Sequence, residues 1–189
     1  SLEKIIIPNS VQSIGECAFY GCSSLTFISI PYSLTQIKNH VFAECSKLKE
    51  IYIPSSITSI GQSSFRCCQS LERILFENTS SIKLIEKGAF GQCYSLMYFS
   101  ISSSMKSIKK NIFKRCSLLR QVDIPSSITS IEIGAFYECL NLHEVNIYSS
   151  IDSIEDDTFN GCSSLTYINI PSSVTSIGNK AFYKCSALL

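Results

Sequence analysis

Ten cysteines, two histidines and one acidic cluster are the residues of this chain with chemistry to offer. Eight of the cysteines (Cys22, Cys45, Cys68, Cys93, Cys116, Cys139, Cys162 and Cys185) recur every 23 residues, with one interval of 25. Structural zinc needs tight ligand pairs that converge from loops, and a column with that period does not converge. Nor does the spacing suit a disulfide framework. Equivalent side chains on successive rungs point the same way, which is poor geometry for cross-linking. A small buried thiol packs well as a core residue, so the column predicts a reduced ladder. Cys17 and Cys67 stand off it, which leaves open exposed thiols, a Cys17–Cys22 bridge or a vicinal Cys67–Cys68 pair.

His40 and His143 fall in different phases of the repeat, and no Ser/His/Asp or Cys/His order is suggested. Asp152, Glu155, Asp156 and Asp157 lack the alternating oxygen ligands and Gly turn of a calcium loop, and read as a solvated face. There is no phosphate-cradling Gly loop. With no convergent set of reactive groups, the expectation is a non-enzyme with no cofactor and no metal.

The elements that position these residues follow from the same period. Phe19, Phe42, Phe65, Phe90, Phe113, Phe136, Phe159 and Phe182 precede each column cysteine by three, and a Leu follows each by three. A fixed period of this size marks a solenoid, here a single array of about eight units over residues 1–189. Pairs such as Ile28/Ile30 and Ile51/Ile53 alternate with period two, predicting a strand with one buried face. Pro8, Pro31, Pro54, Pro125 and Pro171 end that strand in five units. A second apolar pair, such as Ile57/Ile60, predicts a short second strand. Ala18, Phe19 and Cys22 fall at i, i+1 and i+4, predicting one turn of helix per unit. Each coil alone buries almost nothing, and stacking closes the core. The longer interval places a two-residue insertion near 77–81, on a surface turn. Asn78-Thr79-Ser80 within it matches the glycosylation acceptor pattern.

The net charge is +1 with no basic run, which argues against a nucleic-acid surface. No apolar stretch approaches the length of a membrane span. Both termini fall in mid-repeat without a visible capping unit, so the chain reads as a piece of a longer protein. Its uncapped ends could self-associate, end to end or as a dimer.

Function therefore moves to surfaces. Strand residues beside the buried pair point outward. One outward column reads Lys4, Phe27, Glu50, Arg73, Tyr98, Gln121, Glu144, Tyr167, and its neighbour Ile6, Ser29, Tyr52, Leu75, Ser100, Asp123, Asn146, Asn169. Core columns barely vary, whereas these vary at nearly every unit. Aromatics with Arg are the composition of protein-binding hot spots. The expected contact patch is Phe27, Tyr52, Arg73, Leu75 and Tyr98, with Glu50, Asp123 and Glu144 as a polar rim. Eight rungs about 4.8 Å apart span about 40 Å, a length that suits a protein or a glycan polymer.

Ile170 to Leu188, I-P-S-S-V-T-S-I-G-N-K-A-F-Y-K-C-S-A-L, resembles the BspA-like leucine-rich repeat, and the pattern recurs through the whole chain. The resemblance implies a leucine-rich repeat solenoid, a curved right-handed coil with a parallel sheet on its concave face. It further implies a cell-surface or secreted protein of a host-associated bacterium or parasitic protist. The expected role is adhesion to host cells or to extracellular matrix such as fibronectin; a structural spacer or a self-assembling segment is the alternative. The chain departs from commoner leucine-rich repeats in lacking the Asn ladder after the strand, where Pro and Ser stand instead.

Overall fold

The computed structural model describes residues 2–77 and 82–188, so the acceptor pattern at Asn78 lies outside the described residues. The alternating pairs form a first set of strands: β1 (Lys4–Ile6), β2 (Phe27–Ser29), β4 (Glu50–Ile53), β6 (Arg73–Phe76), β9 (Gln121–Ile124), β11 (Glu144–Ile147) and β13 (Tyr167–Ile168). The second pairs form β3 (Gln36–Ile37), β5 (Ser59–Ile60), β7 (Leu84–Ile85), β8 (Ser107–Ile108), β10 (Ser130–Ile131), β12 (Ser153–Ile154) and β14 (Ser176–Ile177). Every pairing is parallel and joins a residue to its equivalent one unit on, as in Glu50↔Arg73, Ile51↔Ile74 and Gln121↔Glu144. The result is a parallel β-solenoid of about seven turns. Numbering units by their Phe, the interiors of units two, three and five to seven are closed, as at Leu48, Ile53, Phe65 and Cys68, which have no exposed surface, and unit four is open only at Ile74 and Phe76. Burying each such apolar side chain stabilises the fold by about 1.5–3 kcal/mol. The Phe rings stack along the array, Phe136 on Phe159 at 5.4 Å and 1°. Gly61 closes β5 where a Cβ would lie 2.7 Å from the Asn39 backbone nitrogen, so only glycine admits that approach.

The expected helical turn is not there. Among the described residues no unit forms a helix. Two residues per unit are left-handed, such as His40 (φ 56°) with Glu44 (φ 63°) and Asn111 (φ 55°) with Arg115 (φ 62°). A left-handed residue cannot continue a right-handed helix. Instead the backbone N–H groups alternate. Those of Ala43 and Cys45 bond back within the unit, to His40 and Phe42. Those of His40, Phe42 and Glu44 donate to Gln62, Ser64 and Arg66 of the next unit at 2.8–2.9 Å. This three-bond ladder repeats at all seven steps between units. The turn is thus a third stacking surface, not a helical lid.

The cysteine column completes it. Each Phe carbonyl accepts the N–H of its own unit's cysteine, as Phe90 does from Cys93 at 3.2 Å. Its second lone pair takes a thiol from the next unit, Cys116 Sγ at 3.2 Å, and the pattern runs from Cys45 to Cys185. All ten cysteines are free thiols. Burial pushes the Cys45 thiol up to about 12 and raises Cys68, Cys93 and Cys139 well above the ordinary thiol value, so these thiols stay protonated. Neither the Cys17–Cys22 nor the Cys67–Cys68 bridge forms. Both off-column thiols occupy left-handed turn positions, and Cys67 donates to Gln92 Oε1 at 2.7 Å.

The insertion marks a fault. Among the described residues, units four and five are the one step at which neither strand layer pairs. Unit five has no first strand, only a bridge from Tyr98 to Gln121. The turn-side ladder nevertheless crosses this step, with Gly88, Phe90 and Gln92 bonding to Lys110, Ile112 and Lys114. Phe76 and Phe99 replace aliphatic residues of their columns here and meet edge to face at 5.6 Å. A cleft of about 620 Å³ opens beside them, lined by Ile74, Ile82, Ile85 and Met105. The coils thus lose strand pairing at this step while Met97 N–H still donates to the Glu72 carbonyl at 3.4 Å.

Candidate functional site

Strand alternation places all eight predicted surface residues on the outer face of the first strand layer. Phe27, Tyr52, Leu75 and Tyr98 are 46%, 43%, 42% and 58% exposed, too much for core residues. The structure distributes them over several sheets. Glu50, Tyr52, Arg73 and Leu75 form one block in β4–β6, where Glu50 pairs with Arg73 and Tyr52 with Leu75. Phe27 lies in β1–β2, and Asp123 and Glu144 lie in β9–β11. Tyr98 stands at the isolated bridge, beside the fault.

The two halves of this face differ electrostatically. Arg73 Nη2 donates to Glu50 Oε2 at 2.8 Å in an exposed ion pair, so the two charges beside Tyr52 and Leu75 offset each other. Asp123 and Glu144 instead share one amide, Asn146 Nδ2, at 3.0 and 2.8 Å, and no lysine or arginine nitrogen lies within 4.0 Å of them among the described residues. The Arg120 guanidinium sits 6.0 Å from the Tyr98 ring centre.

Three residues of this face were not among the predicted contact residues. Tyr32 donates from its hydroxyl to Glu77 Oε1 at 3.0 Å, and Ser55 N–H donates to Glu77 Oε2 at 2.7 Å. Hydrogen bonds from the Ser55 side chain and backbone, then from Tyr32, hold the Glu77 carboxyl down at about 2. The Tyr32 phenol is raised in turn, by its hydrogen bonding to Tyr52 and then to Glu77. Tyr148, 64% exposed, lines a recess of about 420 Å³ with Tyr98, Gln121 and Asp123. The signal for two of these was present: Glu77 and Tyr148 occupy the position where five other units carry Pro. With an N–H restored, each extends the ladder, Glu77 to the Ile53 carbonyl and Tyr148 to that of Ile124.

The residues weighed for chemistry are held in local hydrogen bonds. Ser153 donates to Asp152 and Glu155, Asn160 to Asp157, and Asn179 N–H to Asp156. No group of three His, Cys, Asp or Glu converges as metal ligands among the described residues. Among them, too, no helix is long and apolar enough to cross a membrane.

Solved structures with this fold are those of leucine-rich repeat proteins. The chain is 26% identical to the T. pallidum leucine rich repeat protein TpLRR, covering 100% of this chain and 78% of that one, with a TM-score of 0.80. It shares its fold with the pneumococcal vaccine antigen PcpA at 20% identity and a TM-score of 0.66, covering 93% of this chain and 58% of that one. A leucine-rich repeat protein from Eubacterium ventriosum matches at 20% identity and a TM-score of 0.64, over 97% of this chain and 57% of that one. No curated protein sequence matches the chain. Residues 1–119 and 77–189 match the BspA type leucine rich repeat region, in six copies. The chain belongs to the BspA-type leucine-rich repeat family.

Proposed function

We propose that this chain is a non-catalytic protein-binding module of a surface protein, acting through the outer face of its first strand layer. The observation that carries the reading is the block of Tyr52, Leu75 and the Glu50–Arg73 pair, with Phe27 in the preceding unit and Tyr98 in the following one. Large aromatic and aliphatic side chains stand exposed there while the inward residues of β4, Ile51 and Ile53, are closed. Stacking does not require them outside, and their desolvation by a partner would supply binding energy. The partner class is a host-cell surface or extracellular matrix protein such as fibronectin, and the role is adhesion. Likeness to a vaccine antigen and to the BspA type supports a location at the cell surface.

The test is binding of the purified segment to immobilised matrix proteins, beside a Tyr52→Ala/Arg73→Ala/Tyr98→Ala variant. Saturable binding by the parent, lost in a variant of unchanged unfolding midpoint, is the expected result. Equal binding by both proteins would move the contact off this face.

A further inference from the structure

The turn side carries a second surface that shares no residue with the strand-face site. One turn column reads Tyr20, Ala43, Arg66, Gly91, Lys114, Tyr137, Asn160, Tyr183. The ladder bonds Glu44 N–H to Arg66 O, Cys67 N–H to Gly91 O and Gln92 N–H to Lys114 O, so Arg66, Gly91 and Lys114 occupy successive rungs. Gly91 leaves its rung bare between two long cationic side chains. A recess of about 370 Å³ results, walled by Arg66, Lys87, Lys110 and Lys114 with the amides of Gln62 and Gln92.

The charge here is unbalanced. The ion pairs among the described residues are Glu50–Arg73, Glu132–Lys109 and Glu138–Arg115, and none engages the four cations of the recess. Lys114 Nζ lies 4.8 Å over the Tyr137 ring. The net charge of +1 hides this, because units six and seven carry Glu132, Glu138, Glu155, Asp156 and Asp157. Four unpaired cations around a void repel one another and do nothing for stacking.

We propose that this recess binds a sulfated polysaccharide chain. The four cations meet sulfate groups on neighbouring sugars, and the Gln62 and Gln92 amides meet ring hydroxyls. Arg66 and Lys114 are two rungs apart, about 10 Å along the array. Extended cationic side chains on rungs that far apart are met more fully by a chain with a charge on each sugar than by a single phosphate or sulfate ion. Single-stranded nucleic acid has the charge spacing too, but it is held by aromatic platforms on which bases stack. The recess wall offers hydroxyl and amide groups and no aromatic ring.

Gly91 makes the site testable without touching charge. Its φ is not left-handed, and a Cβ there would sit 3.4 Å from the Gly88 carbonyl oxygen, an ordinary contact. Tyr fills the same column in three other units. Titration with a highly sulfated heparin-type hexasaccharide at low ionic strength should give saturable binding that weakens as salt is added. Gly91→Tyr, and separately Lys87→Gln/Lys110→Gln/Lys114→Gln, should each weaken it about tenfold or more. A control that removes three cations elsewhere, Lys47→Gln/Lys180→Gln/Lys184→Gln, should change it less than about twofold. Absence of binding, an equal loss in the control, or an unaffected Gly91→Tyr protein would overturn the proposal. Tighter binding of a single-stranded oligonucleotide or of inorganic phosphate would overturn it in favour of that ligand. The strand-face variant at Tyr52, Arg73 and Tyr98 should bind the hexasaccharide normally, so the two surfaces stand or fall separately.

Discussion

The turn side and the strand face are built by the same 23-residue unit, and they keep their stacking differently between units four and five. On the turn side, three backbone hydrogen bonds cross every step between units, and the Phe and Cys columns run through without a gap. On the strand face, both layers part between units four and five, and unit five loses its first strand. The turn side buries its Phe and Cys columns and gives each Phe carbonyl from Phe19 to Phe159 a second hydrogen bond, so those two columns have little tolerance for change, whereas its outward column varies. The strand face turns half its residues to solvent, where packing constrains them least. Backbone hydrogen bonding is thus continuous along the turn side and interrupted along the strand side, while both sides bury an apolar column and turn a variable one outward.

The largest break in this contrast should come from the aromatic column. Phe113 is 1% exposed and stacks between Phe90 at 5.8 Å and Phe136 at 5.6 Å, with Phe99 at 4.8 Å. Phe113→Ala should cost about 3–5 kcal/mol in urea unfolding. A loss below about 1 kcal/mol would overturn the buried, stacked placement of this column. Cys116→Ala tests the thiol ladder on the same side. It removes a small buried group and one of the two bonds to the Phe90 carbonyl. The expected loss is about 1–2 kcal/mol, with Phe90 still held by the Cys93 N–H. A neutral substitution would mean that the column is packing alone.

How far the sequence foretold this contrast depends on which side is considered. Strand positions were legible because the period-two alternation of Ile51 and Ile53 has one physical reading beside Pro54. The turn was misread because apolar residues at i, i+1 and i+4, as at Ala18, Phe19 and Cys22, fit a helix and fit this turn equally. Hydrophobic spacing reports which side chains go inside, and it does not report φ. The clue lay in composition: Gly88, Asn111, Gly134 and Asp157 share one column and Gly21 and Gly161 another, and these are the residue types that enter the left-handed region most readily. The strand-face residues were found from alternation alone, whereas the cations at the Gly91 recess were invisible as a run. Arg66, Lys87, Lys110 and Lys114 become neighbours only when the units stack.

Acid should separate the two sides by another route. The Glu77 carboxyl sits at about 2 in the folded protein, against an ordinary value of 4.5, because Ser55 and Tyr32 donate to it. A depressed folded value gives stability that is complete above about pH 4.5 and disappears as pH falls toward about 2. Glu77→Gln should flatten that part of the acid titration of stability, and the two proteins should converge near pH 2. Parallel curves throughout would show that the Tyr32–Glu77 contact does not persist in solution. The turn-side thiols, protonated at all these pH values, contribute no slope in this window.

The smallest effect should come from the Glu50–Arg73 pair, although it stands at the centre of the proposed contact. Both side chains are about half exposed or more, and the Coulomb attraction at 2.8 Å is screened by water. A double-mutant cycle with Glu50→Gln and Arg73→Gln should give a coupling below about 1 kcal/mol in folding. The same cycle read in partner binding should be larger, because a partner that covers the pair removes the water that screens it. Equal couplings in folding and in binding would place the pair outside the buried contact, and would leave Tyr52, Leu75 and Tyr98 to carry the strand-face site without it.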